Sequence, residues 1–166
     1  MITAPRMLSN DLHCFFSHNQ LSQAVIVPFL YDNKKFFTVN QCLLYLKAQA
    51  SNEIELAEQI HATNHSVDFR ILDSLIPENT TWDNGLLEVA GDVNFEKFSQ
   101  NESAMELLLS TGCKKLVEVS LNVNDFWGLG MGITEASRTP PRYWTGKNVT
   151  GEILTDLRDY FFSRIM

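Results

Sequence analysis

The chain is short of cysteine and of positive charge, and each shortage excludes a class of protein. Its three cysteines are an odd number and form no Cys-x-x-Cys pair, so neither a zinc ribbon nor a disulfide framework is expected. Its 13 basic side chains stand against 20 acidic ones, which gives a net charge of -7. This balance argues against a protein that coats nucleic acid nonspecifically, although a small basic pocket for one phosphate group is compatible with it.

Long apolar runs are also missing. No segment is long enough to span a membrane, and the start of the chain lacks the apolar core of a signal peptide. We therefore expect a reduced, cytoplasmic setting. The 166 residues predict one domain over 1–166, in which residues 1–12 can be a loose segment.

The first half of the chain predicts a hairpin followed by helices. A β-branched and aromatic run over 24–31 predicts a strand, which Pro28 places at an edge or a bulge. A short returning strand is expected over 35–38. Asn40 then predicts the N-cap of a helix. The residues with helical spacing that form its predicted buried stripe are Cys42, Leu43, Leu46 and Ala50.

The rest of the chain predicts more helix than strand. Helices are expected over 53–62, 84–99, 102–110 and 150–164, a strand over 115–119, and an irregular segment over 134–144. The fold class that this order predicts is α+β, a mostly helical single domain packed around a small β-sheet. The predicted inward residues of the longest helix are Leu86, Leu87, Ala90, Val93 and Phe98.

One face of the helix after the hairpin carries a candidate nucleophile. Asn40, Leu44 and Lys47 are spaced to share that face. If the face borders a cleft, partial burial favours the neutral amine of Lys47, which can attack a sugar aldehyde and form a Schiff base. The alternative is an ordinary solvated lysine, which is the commoner state of this residue.

A glycine-rich loop is a second candidate for ligand binding. In Trp127-Gly128-Leu129-Gly130, the glycines let backbone amides approach a ligand closely, and the tryptophan can stack on a base or a sugar. The alternative is a flexible loop beside a core tryptophan.

The start of the last predicted helix is a third candidate. Lys147, between Gly146 and Asn148, lies where a helix N-terminus suits a phosphate. The alternative is an ordinary cap made by Asn148 or Thr150.

Carboxylates and histidines complete the survey of reactive side chains. Glu118 lies in an apolar strand, where it is either a cleft carboxylate or exposed on the solvent face. Asp125 is a further carboxylate close to the glycine-rich loop. His61 and His65 are four residues apart, but no third ligand is indicated, so no metal site is expected.

Several partial motifs occur in the order in which the NADAR (YbiA-like) family has them. The chain resembles that family from about Phe15 to Arg158. The segments that carry the resemblance are Phe15-Phe16-Ser17, Leu21-Ser22-Gln23, the helix 40–48, Lys97-Phe98 with Gln100 and Asn101, Leu116-Val117-Glu118, Trp127-Gly128 with Gly130, and Gly146 with Asn148 and Gly151.

The resemblance implies an N-glycoside hydrolase. Its substrate would be an ADP-ribosyl or ribose-phosphate conjugate of a nucleobase, free or on a guanine of nucleic acid, and no metal or redox cofactor is implied. Lys47 would form a Schiff base with the ribose, and Glu118 or Asp125 would handle protons. The residues implied to contact or shape the ligand site are Ser22, Gln23, Asn40, Gln41, Trp127, Gly128, Gly130, Lys147 and Asn148.

One departure from the family pattern supports an alternative function. Asn40 stands where the family usually has a glutamate, and an amide cannot act as a general acid or base. The loss of such help typically lowers a rate by about 10²–10⁴-fold. The alternative is therefore a catalytically impaired module on the same fold that binds ADP-ribose or a related nucleotide.

Overall fold

A computed structural model of the chain describes residues 6–63, 69–119 and 126–165. The chain divides into two compact units, which we call the sheet unit and the hairpin unit. The sheet unit contains the described residues up to Val25 and from Ser103 onward, and the hairpin unit is Ile26–Glu102. Along the described residues, four short strands come first and are followed by five helices, one further strand and two more helices, and this grouping confirms the α+β class. The prediction of a single domain stays a prediction.

The sheet unit is built on three strands in the order β1-β2-β5. They are β1 (Met7–Ser9), β2 (His13–Phe16) and β5 (Lys115–Glu118). β1 and β2 are antiparallel, whereas β2 and β5 are parallel, with Phe16 opposite Glu118. Both strands of the parallel pair are nearly continuous buried runs, as expected for strands covered on both faces.

Three helices belong wholly or largely to the sheet unit. They are α5 (Glu102–Ser110), α6 (Ile133–Arg138) and α7 (Val149–Ile165). Gly112 ends the first of them in the left-handed region at φ +65° and donates to the Leu109 carbonyl at 3.1 Å. One apolar core cluster of this unit consists of Phe15, Val117, Val119, Leu129, Met131, Ile133 and Ala136, with Trp144 packed against it.

The hairpin unit joins a two-stranded sheet to four helices. β3 (Phe29–Tyr31) and β4 (Lys34–Phe36) are antiparallel, and the turn between them places Asp32 and Asn33 at positive φ, as two-residue hairpin turns require. The helices are α1 (Val39–Ala50), α2 (Ile54–Ala62), α3 (Phe69–Asp73) and α4 (Thr80–Ser99).

The first predicted strand and the first predicted helix cap of the hairpin unit were wrong. The strand expected over 24–31 is regular only over Phe29–Tyr31, because it begins after Pro28, which lacks a backbone donor. The predicted cap of α1 is also two residues too late. The side chain of Thr38, and not that of Asn40, accepts the Gln41 N–H at 3.1 Å.

Other predictions also need correction. α4 begins at Thr80 because Asn79 caps it, four residues before the predicted start. Leu87 of that helix was predicted to point inward but is 56% exposed. Residues 134–144 were predicted to be irregular, yet they contain most of α6 and a 3-10 turn over Pro141–Tyr143.

The three cysteines differ in accessibility. Cys14 of β2 and Cys42 of α1 are fully buried, one in each unit, whereas Cys113 is exposed. All three are free thiols. Burial raises the pKa of the Cys42 thiol far above its usual range, which makes it unreactive in the folded protein. Within the described ranges, no helix is both long enough and apolar enough to cross a membrane.

Candidate functional site

Glu118 ends β5 at the carboxyl edge of the parallel strand pair. It is only 4% exposed, so it does not lie on a solvent face. Its carboxylate Oε1 accepts a hydrogen bond from the Ser22 hydroxyl at 3.0 Å. Its backbone is also fixed, because its N–H donates to the Asn148 Oδ1 at 2.9 Å and its carbonyl accepts from the Leu129 N–H at 3.0 Å. Ligands of open parallel sheets bind beyond this strand edge, which makes Glu118 the centre of a candidate site.

Ser22 reaches the carboxylate from a tight turn that follows β2. The turn is closed by Asn19, whose side-chain oxygen accepts the Leu21 N–H at 2.9 Å and whose carbonyl accepts the Ser22 N–H at 2.9 Å. Gln23, the next residue, is 3% exposed. Within the described part of the chain its Nε2 finds no hydrogen-bond acceptor. A buried donor without an acceptor is costly, and a ligand oxygen would satisfy the Gln23 amide.

Asn148 connects the start of α7 to β5. Its amide oxygen accepts the Glu118 N–H, and its Nδ2 donates to the Leu116 carbonyl at 3.0 Å. Its backbone is in the left-handed region at φ +55°, which asparagine tolerates better than most residues. Gly151 is packed against this bridge, because a Cβ there would lie 2.2 Å from the Leu116 carbonyl oxygen. The side chain of Asn148 thus forms part of the framework under Glu118.

The glycine-rich loop accepts hydrogen bonds from the backbone N–H groups at the start of α7. Asn148, Val149 and Thr150 donate their N–H groups to the carbonyls of Gly128, Phe126 and Trp127 at 3.3, 3.1 and 3.0 Å. These three donors are therefore occupied by the loop instead of being available to the phosphate that we predicted there. Gly146 explains how the two segments come so close, since a Cβ on it would lie 2.2 Å from the Gly128 carbonyl oxygen.

The remaining predicted residues of the sheet unit lie at the edge of this framework. Trp127 is partly buried, and its ring contacts that of Phe126 edge-on with a centroid separation of 5.0 Å. Lys147 is exposed and places its Nζ 5.5 Å from the Phe126 ring. Gly130 is exposed at φ +66°. Asp125 lies outside the described residues, so its predicted proton-handling role stays a prediction.

Lys47 lies in the hairpin unit on α1 and is partly exposed. Its Nζ donates to the Asp73 Oδ1 at 2.6 Å, and the two side chains are 23% and 50% exposed. Asp73 ends the five-residue helix α3, 26 positions along the chain. Sequence analysis missed Asp73, because an exposed aspartate that far away carries no local signal. Asn40, on the same helix, is also partly exposed.

Gln41 holds the hairpin unit together through backbone contacts. Its amide oxygen accepts the Phe37 N–H at 2.9 Å, and its Nε2 donates to the carbonyls of Ile60 and His61 at 3.2 and 3.1 Å. These carbonyls belong to the last turn of α2, where carbonyls run short of intrahelical donors, although that of Ile60 also accepts the Thr63 N–H at 3.2 Å. The amide is thus occupied by backbone, which accounts for the burial of Gln41. Ligand contact by Gln41 stays a prediction.

Within the ranges that the structure describes, no three His, Cys, Asp or Glu side chains come together in a way that could hold a metal ion. His61, one of the two histidines spaced four residues apart, packs edge-on against the Phe36 ring with a centroid separation of 5.2 Å. His65 lies outside the described residues.

The fold and the site define an α+β protein with a buried, hydrogen-bonded carboxylate at the carboxyl edge of a parallel strand pair. A family model described as the NADAR domain matches residues 3–161. The match covers nearly the whole chain, so the chain belongs to the NADAR family, as its motifs predict.

Two relatives and one solved structure show how far the similarity extends. N-glycosidase R617 of Acanthamoeba polyphaga mimivirus is 38% identical over 80 residues, which are 48% of this chain and 46% of the relative. Protein irg-1 of Caenorhabditis elegans is 31% identical over 134 residues, 78% of this chain and 63% of that protein. This chain thus spans only about half to three-fifths of the length of these relatives.

The structural similarity concerns the fold alone. The NMR structure of the E. coli protein YbiA superposes with a TM-score of 0.74 at 24% identity, and the match covers 96% of this chain and 90% of that one. Agreement over that extent confirms the YbiA-like fold that the sequence motifs predict.

Proposed function

We propose that this chain is an N-glycoside hydrolase that removes an ADP-ribosyl or ribose-phosphate group from a nucleobase. The observation that carries the proposal is the NADAR match over residues 3–161, together with a relative that is named an N-glycosidase. The buried carboxylate of Glu118 and the amine of Lys47 are the reactive groups that such chemistry needs.

In the proposed reaction, Lys47 is the nucleophile. Its neutral amine forms a bond to C1 of the ribose while the bond from C1 to the base nitrogen breaks. The base leaves with that electron pair and takes a proton from a carboxyl group, the role predicted for Glu118 or Asp125. The ribose ring then opens as a proton passes from Nζ to the ring oxygen, which gives a Schiff base, and water hydrolyses it to the free sugar and the amine.

Borohydride trapping tests the role of the lysine directly. The terminal ribose of ADP-ribose equilibrates with its open-chain aldehyde. Schiff-base formation with loss of water, followed by borohydride reduction, should therefore raise the intact mass of the protein by that of one ADP-ribose less one oxygen atom. Lys47→Ala should abolish the adduct. The matched control is Lys34→Ala, which removes another ion-paired lysine of the same unit and should leave the adduct in place. A full adduct on Lys47→Ala would refute the lysine role.

Turnover is a separate question from trapping. The substrate we would use is a guanine-containing oligonucleotide that carries ADP-ribose on the base, and the readout is release of free ADP-ribose. Glu118→Gln keeps the shape of the side chain but removes the charge, and we expect it to lower kcat by about 10²-fold or more. Ser22→Ala should have a smaller effect, because it removes only one hydrogen bond to that carboxylate.

One observation favours a second candidate, a nucleotide-binding module with impaired catalysis. Asn40 replaces the glutamate that the family resemblance implies, and its amide cannot exchange protons. If this reading is right, the protein binds ADP-ribose without turnover of the oligonucleotide, and Asn40→Glu restores activity. Equal turnover by the variant and the parent would exclude it.

A further inference from the structure

Two lysine–carboxylate pairs in the hairpin unit differ in the distance between their charged groups and in the exposure of their lysines. Lys34 pairs with Glu58 at 2.9 Å, and these side chains are 38% and 53% exposed. Lys47 pairs with Asp73 at the shorter distance of 2.6 Å, and its own exposure is only 23%. The second lysine is also the one whose helix face carries Asn40. A short contact to the proposed nucleophile gives Asp73 a chemical role that Glu58 lacks.

Asn40 cannot fill that role. It is seven residues before Lys47, which is about 10 Å along the helix axis, and its amide does not titrate. Asp73 is a carboxylate in direct hydrogen-bond contact with the Lys47 Nζ. We infer that Asp73 is the proton-exchanging partner of Lys47 and carries out the acid–base work that the asparagine at position 40 cannot do. This inference rests on the proposed function, because it requires Lys47 to react with a ribose aldehyde.

The proton movements balance in the trapping reaction. The Asp73 carboxylate accepts one proton from the Lys47 ammonium, and the neutral amine then adds to the ribose aldehyde to give a carbinolamine. The protonated Asp73 returns its proton to the carbinolamine hydroxyl, which leaves as water while the nitrogen electron pair forms the C=N bond. The net change is an aldehyde and an ammonium giving a protonated Schiff base and one water, with Asp73 restored.

The test compares matched variants in borohydride trapping with ADP-ribose. Asp73→Asn keeps the size of the side chain and should lower the maximal trapping rate by about 10²-fold, with little change in the half-saturating ADP-ribose concentration. Glu58→Gln breaks the other ion pair and should trap at the parent rate. Asp73→Glu restores a carboxylate and should recover most of the rate.

The outcomes separate this inference from the proposed function. A trapping rate of Asp73→Asn equal to that of Glu58→Gln overturns the inference alone, provided that Lys47→Ala still fails to trap. A faster rate in Asp73→Asn also overturns it, since Asp73 would then merely hold the lysine protonated. No adduct on the unaltered protein overturns both proposals. If Asp73→Asn and Glu58→Gln unfold at the same temperature as the parent, misfolding is excluded as the reason for a lower trapping rate.

Discussion

The two units hold their reactive groups by different means. In the sheet unit, Glu118 is fixed by main-chain bonds on both sides of the residue and by the Ser22 hydroxyl. In the hairpin unit, Lys47 is held by one side-chain contact to a half-exposed Asp73. Both backbones are fixed, since the Lys47 carbonyl accepts the Ser51 N–H at 3.1 Å within α1. The difference lies in the side chains: the buried Glu118 side chain has little room to change rotamer, whereas the partly exposed Lys47 side chain can exchange partners by rotamer changes alone.

This difference has a functional meaning. A carboxylate that must meet a ligand in one geometry gains from a rigid surrounding, because its contacts are then formed before binding. An amine that must form and release a covalent bond to a sugar has to move. Because an ion pair between partly exposed groups contributes little stability, breaking it during that movement costs little. The following predictions test the contrast between the two units.

The largest effect is expected where a methyl group would strike the framework under Glu118. Gly151→Ala places a Cβ 2.2 Å from the Leu116 carbonyl oxygen and 2.4 Å from the Asn148 amide, and should lower the free energy of unfolding by about 3 kcal/mol. The matched control is Gly91→Ala in α4. There the added Cβ would have no atom within 4 Å apart from the neighbouring residues and the helix's own backbone. That change should stabilise the protein by up to about 1 kcal/mol. Urea denaturation measures both, and similar values for the two variants would contradict the structure.

A smaller loss is expected from removing the bridge itself. Asn148→Ala leaves the Glu118 N–H and the Leu116 carbonyl without their buried partner, which should cost about 2 kcal/mol of unfolding free energy. Asn148→Gly loses the same bonds but suits the φ of +55°, so it should be the milder variant. If both variants unfold at the parent urea concentration, the carboxylate is not anchored through this amide.

Loss of the contact between Lys47 and Asp73 should change the stability of the hairpin unit very little. Asp73→Asn and Glu58→Gln each break an ion pair between partly exposed groups, and each should lower the unfolding free energy by less than about 1 kcal/mol. The effect should shrink further in 1 M salt, because these charges are screened. If Asp73→Asn lowers the unfolding free energy by several kcal/mol, the Lys47 contact stabilises its unit as strongly as the Glu118 framework stabilises the other. The contrast between the two units would then disappear.

The smallest effect concerns the pH dependence of the sheet unit. The pKa of His13 is lowered, first by burial and then by repulsion from Lys115. Because the folded state binds fewer protons there, stability is retained above the ordinary histidine pKa of 6.5 and is lost as pH falls from 6.5 through the lowered folded pKa. His13→Phe keeps a ring against Trp144, whose centroid is 5.1 Å away, but does not titrate. Its melting temperature should therefore fall less than that of the parent between pH 7 and pH 5.

The fold was readable from sequence because its signals are local. The hairpin turn at Asp32-Asn33, the helix stop at Gly112 and the apolar run of β5 each depend on neighbouring residues, whereas the strands β1 and β2 were not predicted. The errors were also local in origin. Asn40 and Thr38 are both good capping residues, and only the backbone conformation decides that Thr38 caps α1.

The site was readable only in part, because its contacts join residues far apart in sequence. The motif predicted Glu118 but left its burial open, and the Ser22 hydroxyl that binds it comes from 96 positions earlier. Asn148 was predicted as a wall or a ligand contact, whereas its bonds to β5 follow from the tertiary packing of α7. Asp73 could not be found at all, since it reaches Lys47 only through the placement of α3.

The distribution of thiols makes the two units separately observable. Cys14 is sealed within the strand beside the Glu118 framework, Cys42 is sealed within the helix that carries Lys47, and Cys113 is open to solvent. A thiol reagent should label Cys113 at once and the other two only when their surroundings open. The order in which Cys14 and Cys42 react therefore reports which region opens first, the one around the carboxylate or the one around the lysine. A single mass-spectrometry time course measures both rates of local opening.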